Sequence, residues 1–342
     1  METRSELRPV EIAGGGLAGL ALGLGLRRAG VPVTLHEAGS YPRHRVCGEF
    51  IAGLAPETID RLGLEPCLRD ARRHGEVAWY FGGRLGCRQR LPGVALGLSR
   101  YALDARLAEA FQAAGGDLRV HSRVELDGAA PGRVVATGRV RGRSPWLGLK
   151  FHALNLPLAA GLEVHLGRDA YVGLAGIEGG RVNVCGYFRR RGLRATGPAL
   201  VRAYLLASGL GGLAARLAAA GADPASFAAV AGLVVDGRMA RRPDLRLGDA
   251  CAMIAPFTGD GMAMAFQGAE AALGPLVAYA QGAAWPEVAG AIRSALARQF
   301  RCRLASANAL HGFMLGPRRQ RWLAAAARTG LLPLRPLYSL LH

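Results

Sequence analysis

Residues 10–37 read Val-Glu-Ile-Ala-Gly-Gly-Gly-Leu-Ala-Gly-Leu-Ala-Leu-Gly-Leu-Gly-Leu-Arg-Arg-Ala-Gly-Val-Pro-Val-Thr-Leu-His-Glu. This is an apolar strand, a glycine turn, an apolar helix and a second strand that ends in an acid, the βαβ unit of an adenine dinucleotide site. Gly14 permits the tight turn, Gly16 lets backbone approach a pyrophosphate, and Gly19 lets the helix lie close on the sheet. The helix N-terminus, with Leu17 and Ala18, faces the phosphates. Glu37, followed by Ala38, stands where a carboxylate accepts ribose hydroxyls. With 49 glycines in the chain the spacing alone is weak; the strand before it, the helix after it and the acid about twenty residues on decide the reading. NAD, NADP and FAD all use this unit.

A second glycine segment narrows the choice. Residues 248–262, Gly-Asp-Ala-Cys-Ala-Met-Ile-Ala-Pro-Phe-Thr-Gly-Asp-Gly-Met, run into a helix expected over Ala263 to Tyr279. Gly259 and Gly261 free backbone N–H groups at that helix's N-terminus, where the dipole favours negative charge. The segment resembles the Gly-Asp motif, with its following Pro and Gly-x-Gly, of the flavoprotein aromatic hydroxylase and geranylgeranyl reductase superfamily. That resemblance implies FAD, with Gly248 and Asp249 at the ribityl chain and Pro256, Gly259, Gly261 and Met262 against the flavin and pyrophosphate.

Further segments resemble the same family in the same order. Arg43-His44-Arg45-Val46-Cys47-Gly48-Glu49-Phe50 is similar to its Arg-x-Cys-Gly-Glu segment, which implies Arg45 on the pyrophosphate and Cys47 and Gly48 near the isoalloxazine. A cysteine between arginines is expected to have a lowered pKa and to act as a proton donor or stack on the ring; a small buried hydrophobe is the alternative. Leu98 to Leu107 resembles the helix opening from which an arginine, here Arg100, contacts the cofactor, and an apolar strand around Val120 to Val124 is expected near the adenine. One segment departs. The superfamily's Asp-Gly motif is replaced by Thr137-Gly138-Arg139, so Thr137 and Gly138 are expected at FAD without the carboxylate that also serves an incoming nicotinamide. NAD(P)H is a candidate reductant, with how it reduces the flavin, and whether it does, left open.

After Trp146 the texture becomes short alternating strands over 148–154, 162–166, 170–174 and 181–187, an antiparallel pattern. The resemblance makes this a substrate domain covering the flavin, with Tyr171 and His152 as candidate catalytic pocket residues beside Cys47. The expected fold class is α/β: a Rossmann-like FAD-binding domain of the GR2-type flavoproteins with an interleaved antiparallel substrate sheet and C-terminal helices. The expected division is FAD-binding 1–75, 96–147 and 240–290, substrate-binding 76–95 and 148–239, and a helical segment 291–342. Alanine-rich helices are expected near Pro198 to Ala222 and Pro286 to Leu310.

Length and a 51% hydrophobic composition suit two interlocked domains with a large core. The net charge of +18 comes from arginine; Lys150 is the only lysine, which reads as coding bias. The arginines are scattered without zinc spacing, aromatic interleaving or a recognition helix, so a nucleic-acid partner is not expected. Pro317 to Leu340 mixes Arg, Trp and Leu, as an interfacial helix on an anionic membrane would, or as a helix packed on the FAD domain. No run reaches the ~18 apolar residues of a membrane span, and Met1 to Pro9 lacks a signal-peptide core. The expected location is cytoplasmic, with peripheral membrane contact as an option, and the expected state a monomer or homodimer. The six dispersed cysteines suggest free thiols, no disulfide and no metal.

The whole pattern implies an FAD-dependent oxidoreductase acting on a hydrophobic small molecule. A monooxygenase of an aromatic or polyketide-type substrate is the first expectation, reduction of C=C bonds in a prenyl or other lipid the alternative, and a basic binding module the non-enzyme reading. A flavin halogenase is rejected because the lysine near the first glycine turn and the Trp-x-Trp signature are missing.

Overall fold

The computed structural model describes residues 7–139 and 142–329. The opening stretch folds as strand Val10–Ala13, helix Leu17–Arg28 and strand Val33–His36, the strands parallel with Val10 opposite Val33 and Ala13 opposite His36. The parallel sheet runs, edge to edge, Leu245–Arg246, Arg133–Val135, Val10–Ala13, Val33–His36 and Asp117–Arg119. Every residue from Leu17 to Leu26 is buried. A helix apolar all round needs cover on all sides, and this one is held between the sheet and helices Arg100–Ala113 and Gly261–Ala280.

The strand expected around Val120 to Val124 is corrected: it ends at Arg119, His121 takes a left-handed φ of 52°, and Val120 is exposed. The segment still runs beside the second strand's end, since the Ser122 N–H donates to the Glu37 carbonyl at 2.9 Å. Val124 is half-buried there.

The second sheet has the order Gly221–Ala231, Trp146–Leu154, Val182–Arg189, Ala170–Gly176, Leu162–Gly167, Arg72–Phe81, Arg84–Gly97, Phe50–Ile51. It is antiparallel except where Val77 pairs with Leu162 in the parallel ladder. The alternating strands appear where alternation places them. Gly221–Ala231 was not legible, because its alanines read as a continuation of the helices Gly197–Ala207 and Gly211–Ala219.

Register decides what each face does. Cys185 lies opposite Lys150, Asn183 opposite His152, and Tyr187 opposite both Gly148 and Tyr171, so these share one face. The alternate residues, Leu149, Phe151, Val184 and Phe188, pack on Val201, Leu205, Leu213 and Leu217 of the two helices. The polar and aromatic face is thereby turned toward the loops of the parallel sheet. Helix Trp285–Leu315 runs past the expected end at Leu310, and helix Pro317–Arg328 follows with Trp322 76% exposed. The rest of the proposed interfacial stretch, from 330 on, lies outside the described residues. Among the described residues no helix is long and apolar enough to cross a membrane.

Candidate active site

The glycine turn has the geometry its sequence demands. Gly14 has φ 116°, and a Cβ there would lie 2.3 Å from the Ala136 carbonyl oxygen. A Cβ on Gly19 would lie 2.0 Å from the Gly14 carbonyl oxygen, whereas Gly16 opens onto free space at the helix N-terminus. Leu17 and Ala18 are buried behind the turn. Glu37 is buried and accepts from the Gly15 N–H at 3.0 Å, the Gly39 N–H at 2.8 Å and Arg43 at 2.8 Å. It joins the second strand's end to the glycine turn, with exposed Ala38 beside it.

Three arginines converge next to the turn. Arg45 and Arg100 both bond the buried Asp104 carboxylate, at 2.9 Å and 2.7 Å. The Arg45 Nη2 is enclosed, makes no hydrogen bond among the described residues, and stands 3.7 Å from Glu37. Asp249 is accessible yet surrounded: enclosure pushes its carboxyl up, and the charges of Arg100, Arg139 and Arg45 only partly offset that. Gly48, Thr137, Pro256 and Gly261 also keep accessible surface, with Gly138 and Gly259 half-buried. Gly138, Gly248 and Gly259 take left-handed φ of 78°, 58° and 78°. Met262 is buried in the first turn of the helix behind them. An enclosed groove with glycine backbone on its walls, an unbonded guanidinium nitrogen and a cationic surround fits the pyrophosphate and ribityl chain of FAD.

Beside this groove lies a closed polar seam. Glu49, at φ 51°, accepts from the Arg100 N–H at 3.0 Å, meets Lys150 Nζ at 3.1 Å and His152 Nε2 at 2.7 Å. Glu49, Lys150 and His152 are each 0% exposed. Burial pushes the Glu49 carboxyl up, but the bond from His152 and the charge of Lys150 more than reverse it. Lys150 also reaches His44 Nδ1 at 3.2 Å; burial and the Lys150 charge push His44 down to about 4, so it is a neutral acceptor. The seam grips the Cys47 loop from the sheet side, where Asn183 Nδ2 donates to the Cys47 carbonyl at 2.9 Å. The Ser226 hydroxyl accepts from the His152 N–H at 2.7 Å, filling the irregularity in the Gly221–Ala231 strand.

The expected lowering of the Cys47 thiol is corrected. Burial pushes it up, and Arg100, which reaches the sulfur, only partly offsets that. His152 is likewise no pocket wall; it is locked in the seam. Tyr171 goes elsewhere, into an aromatic cleft farther along the same sheet face. Trp146 stacks on Tyr187 at 4.9 Å, and Tyr187 on Tyr171 at 5.3 Å. His311, from the long helix, meets Tyr187 at 5.3 Å, Tyr171 at 5.9 Å and Phe257 at 6.1 Å. Phe257 belongs to the glycine segment 248–262, so the cleft abuts the cofactor groove. Its open part, about 440 Å³, is lined by Trp146, Tyr187, Leu233, Asn308, His311 and Arg143 among others.

Glu49, Lys150, His44 and His311 were missed from sequence. The isolation of one lysine among arginines was a usable signal for Lys150; nothing in the sequence marked His311. Among the described residues no group of His, Cys, Asp and Glu could hold a metal ion, and all six cysteines are unbridged.

No protein-family profile and no curated protein sequence matches the chain. Solved structures do. Pseudomonas aeruginosa PqsL in complex with 2-aminobenzoylacetate is 18% identical, with a TM-score of 0.73 over 92% of this chain and 98% of that one. A geranylgeranyl bacteriochlorophyll reductase-like protein from Thermoplasma acidophilum is 16% identical, with a TM-score of 0.75 over 97% and 95%. Klebsiella pneumoniae HpxO complexed with FAD and uric acid is 15% identical, with a TM-score of 0.74 over 100% and 98%. The chain has the fold that these monooxygenase and reductase-like structures share.

Proposed function

We propose that the protein is an FAD-dependent monooxygenase that hydroxylates a planar, hydrophobic aromatic compound. The observation that carries this reading is the closeness of the two sites: Phe257, part of the glycine segment of the candidate cofactor groove, packs against His311, which lines the aromatic cleft. FAD, when bound, supplies the redox chemistry, with NAD(P)H as electron source, one oxygen atom entering the product and the other leaving as water. The protein's own residues do the rest. Gly14, Gly16, Arg45, Arg100 and Asp249 hold the dinucleotide, and the sheet face closes over it. Trp146, backed by the buried stack of Tyr187 and Tyr171, offers a ring face to an aromatic ligand and keeps water from its buried side.

The shared fold supports the reading, as do the ligands of two neighbours: PqsL was solved with 2-aminobenzoylacetate and HpxO with FAD and uric acid. One observation favours reduction of a C=C bond as a second reading: burial keeps the Cys47 thiol protonated next to the groove, as a proton donor to carbon requires. The two are separated by purifying the protein, measuring bound FAD, and following NADH and NADPH oxidation with and without oxygen. Aromatic ligands that stimulate NAD(P)H oxidation only with oxygen, yielding product 16 mass units heavier, support the monooxygenase. Anaerobic turnover with a product 2 mass units heavier supports the reductase. A protein that cannot be reconstituted with FAD sinks both.

A further inference from the structure

His311 is 7% exposed, and its Nε2 is enclosed without a hydrogen-bond partner among the described residues. The surroundings are aromatic and apolar: Tyr171, Tyr187 and Phe257 around the ring, with Met314 and Leu233 in the same cluster. The Tyr171 hydroxyl, also enclosed, faces the Phe257 backbone without completing a hydrogen bond of good geometry. Buried polar groups are nearly always paired, and an exception on the wall of a ligand-sized cleft marks the point where the ligand supplies the partner. We propose that His311 is the specificity-determining residue of the cleft, and that it selects a planar aromatic ligand bearing a neutral hydroxyl, of phenol type, over the same ring system without one. This rests on the reading of the cleft as the substrate site.

The chemistry of the ligand follows from the imidazole. Burial pushes His311 down to about 4, so the ring is neutral near pH 7. A neutral imidazole nitrogen is a donor or an acceptor according to tautomer, and a phenolic hydroxyl, which can do either, satisfies both cases. A carboxylate would bring an uncompensated charge into this apolar surrounding beside a neutral ring; the cation that could receive one is Arg143, exposed at the cleft's mouth. Stacking on Trp146, the accessible end of the aromatic stack, fixes the ring plane, and the His311 bond fixes its rotation within that plane.

The test is calorimetric titration of the oxidised, FAD-loaded protein with 1-naphthol, naphthalene and 1-naphthoate. Because it reads binding alone, it can fail while the NAD(P)H and oxygen assays succeed, and the reverse. The expected result is 1-naphthol binding about tenfold tighter than naphthalene. His311→Leu should abolish that preference while leaving naphthalene affinity within about twofold, since a purely structural loss would weaken all three alike. His311→Gln, which keeps a polar partner, should retain part of the preference and serves if the leucine variant does not fold. Equal binding of naphthol and naphthalene to the wild type, a preference that survives His311→Leu, or no binding of any ligand would overturn the proposal. So would 1-naphthoate binding tightest with dependence on Arg143.

Discussion

The polar seam and the aromatic cleft occupy one face of one sheet, yet they treat polar groups in opposite ways. In the seam Glu49 meets Lys150 at 3.1 Å and His152 at 2.7 Å, and none of the three has any exposure. Buried charges satisfied within the protein fix a geometry and leave little for a ligand. In the cleft Tyr171 and Tyr187 are buried in a stack whose accessible end is Trp146, and the enclosed Nε2 of His311 has no hydrogen-bond partner among the described residues. The difference teaches where to look for specificity: a dense cluster of titratable side chains is here a clamp on the Cys47 segment, and the sparse site is the one proposed for a substrate.

The sharpest way to break that contrast is Lys150→Met. It strands the Glu49 carboxylate in the seam, and an uncompensated buried charge costs about 3–5 kcal/mol. Urea denaturation should show that loss, and Lys150→Met with Glu49→Leu together should recover most of it, because replacing both partners removes the stranded charge. A single variant within 1 kcal/mol of wild type would mean that the seam is not a closed ion pair.

The next effect is a pH dependence from the cleft. His311 sits near 4 in the folded state against an ordinary 6.5, so between those values the unfolded chain binds the extra proton. Stability therefore falls as pH drops from about 6.5 to 4, by up to about 3 kcal/mol for this group. His44 is lowered over the same window by burial and by Lys150, but it is partly exposed and contributes less. Stability of His311→Leu measured across pH 7 to 4 should lose roughly one proton's worth of slope. An unchanged slope would place the titration elsewhere.

Much of the cofactor groove was legible because its requirements are local. Gly14 and Gly19 stand where a Cβ would strike backbone, and Glu37 ends a strand next to the turn it serves; such constraints recur at fixed spacing. The seam was half legible. The Cys-Gly-Glu segment drew attention to Cys47, but the partners of Glu49 come from a strand about a hundred residues on, at |i−j| of 103 for His152, and only the sheet register brings them in. The inversion of the Cys47 thiol has the same origin: neighbours in sequence argued for an activated thiolate, while enclosure by Asn183, Cys185 and the sheet, invisible in sequence, wins. His311 was illegible because it is one position on an otherwise ordinary amphipathic helix.

A smaller effect tests whether the cleft is open on its ligand side. Tyr187→Leu removes two stacking partnerships but keeps apolar volume, so it should cost about 1–2 kcal/mol in thermal or urea unfolding. The same variant should weaken binding of naphthalene and 1-naphthol to a similar degree, in contrast to the selective loss expected at His311. Selective loss of the naphthol would move the hydroxyl contact to Tyr187.

The smallest expected effect concerns Cys47, and it bears on which chemistry the groove hosts. A thiol raised by burial is protonated at pH 8, so iodoacetamide should modify exposed Cys302 first and leave Cys47 unmodified in the native protein, as peptide mass spectrometry can follow. Cys47→Ser changes one atom in a half-buried position whose backbone carbonyl, not its sulfur, receives the Asn183 bond. Its stability should stay within about 1 kcal/mol of wild type and its FAD content unchanged. A monooxygenase has no need of that proton, so oxygen-dependent turnover should survive the substitution. Anaerobic reduction of an alkene, if that is the reaction, should fall by the 10²–10⁴-fold typical of losing a general acid. Fast alkylation of Cys47 would show that the seam does not enclose the thiol, and would remove the one observation favouring the reductase.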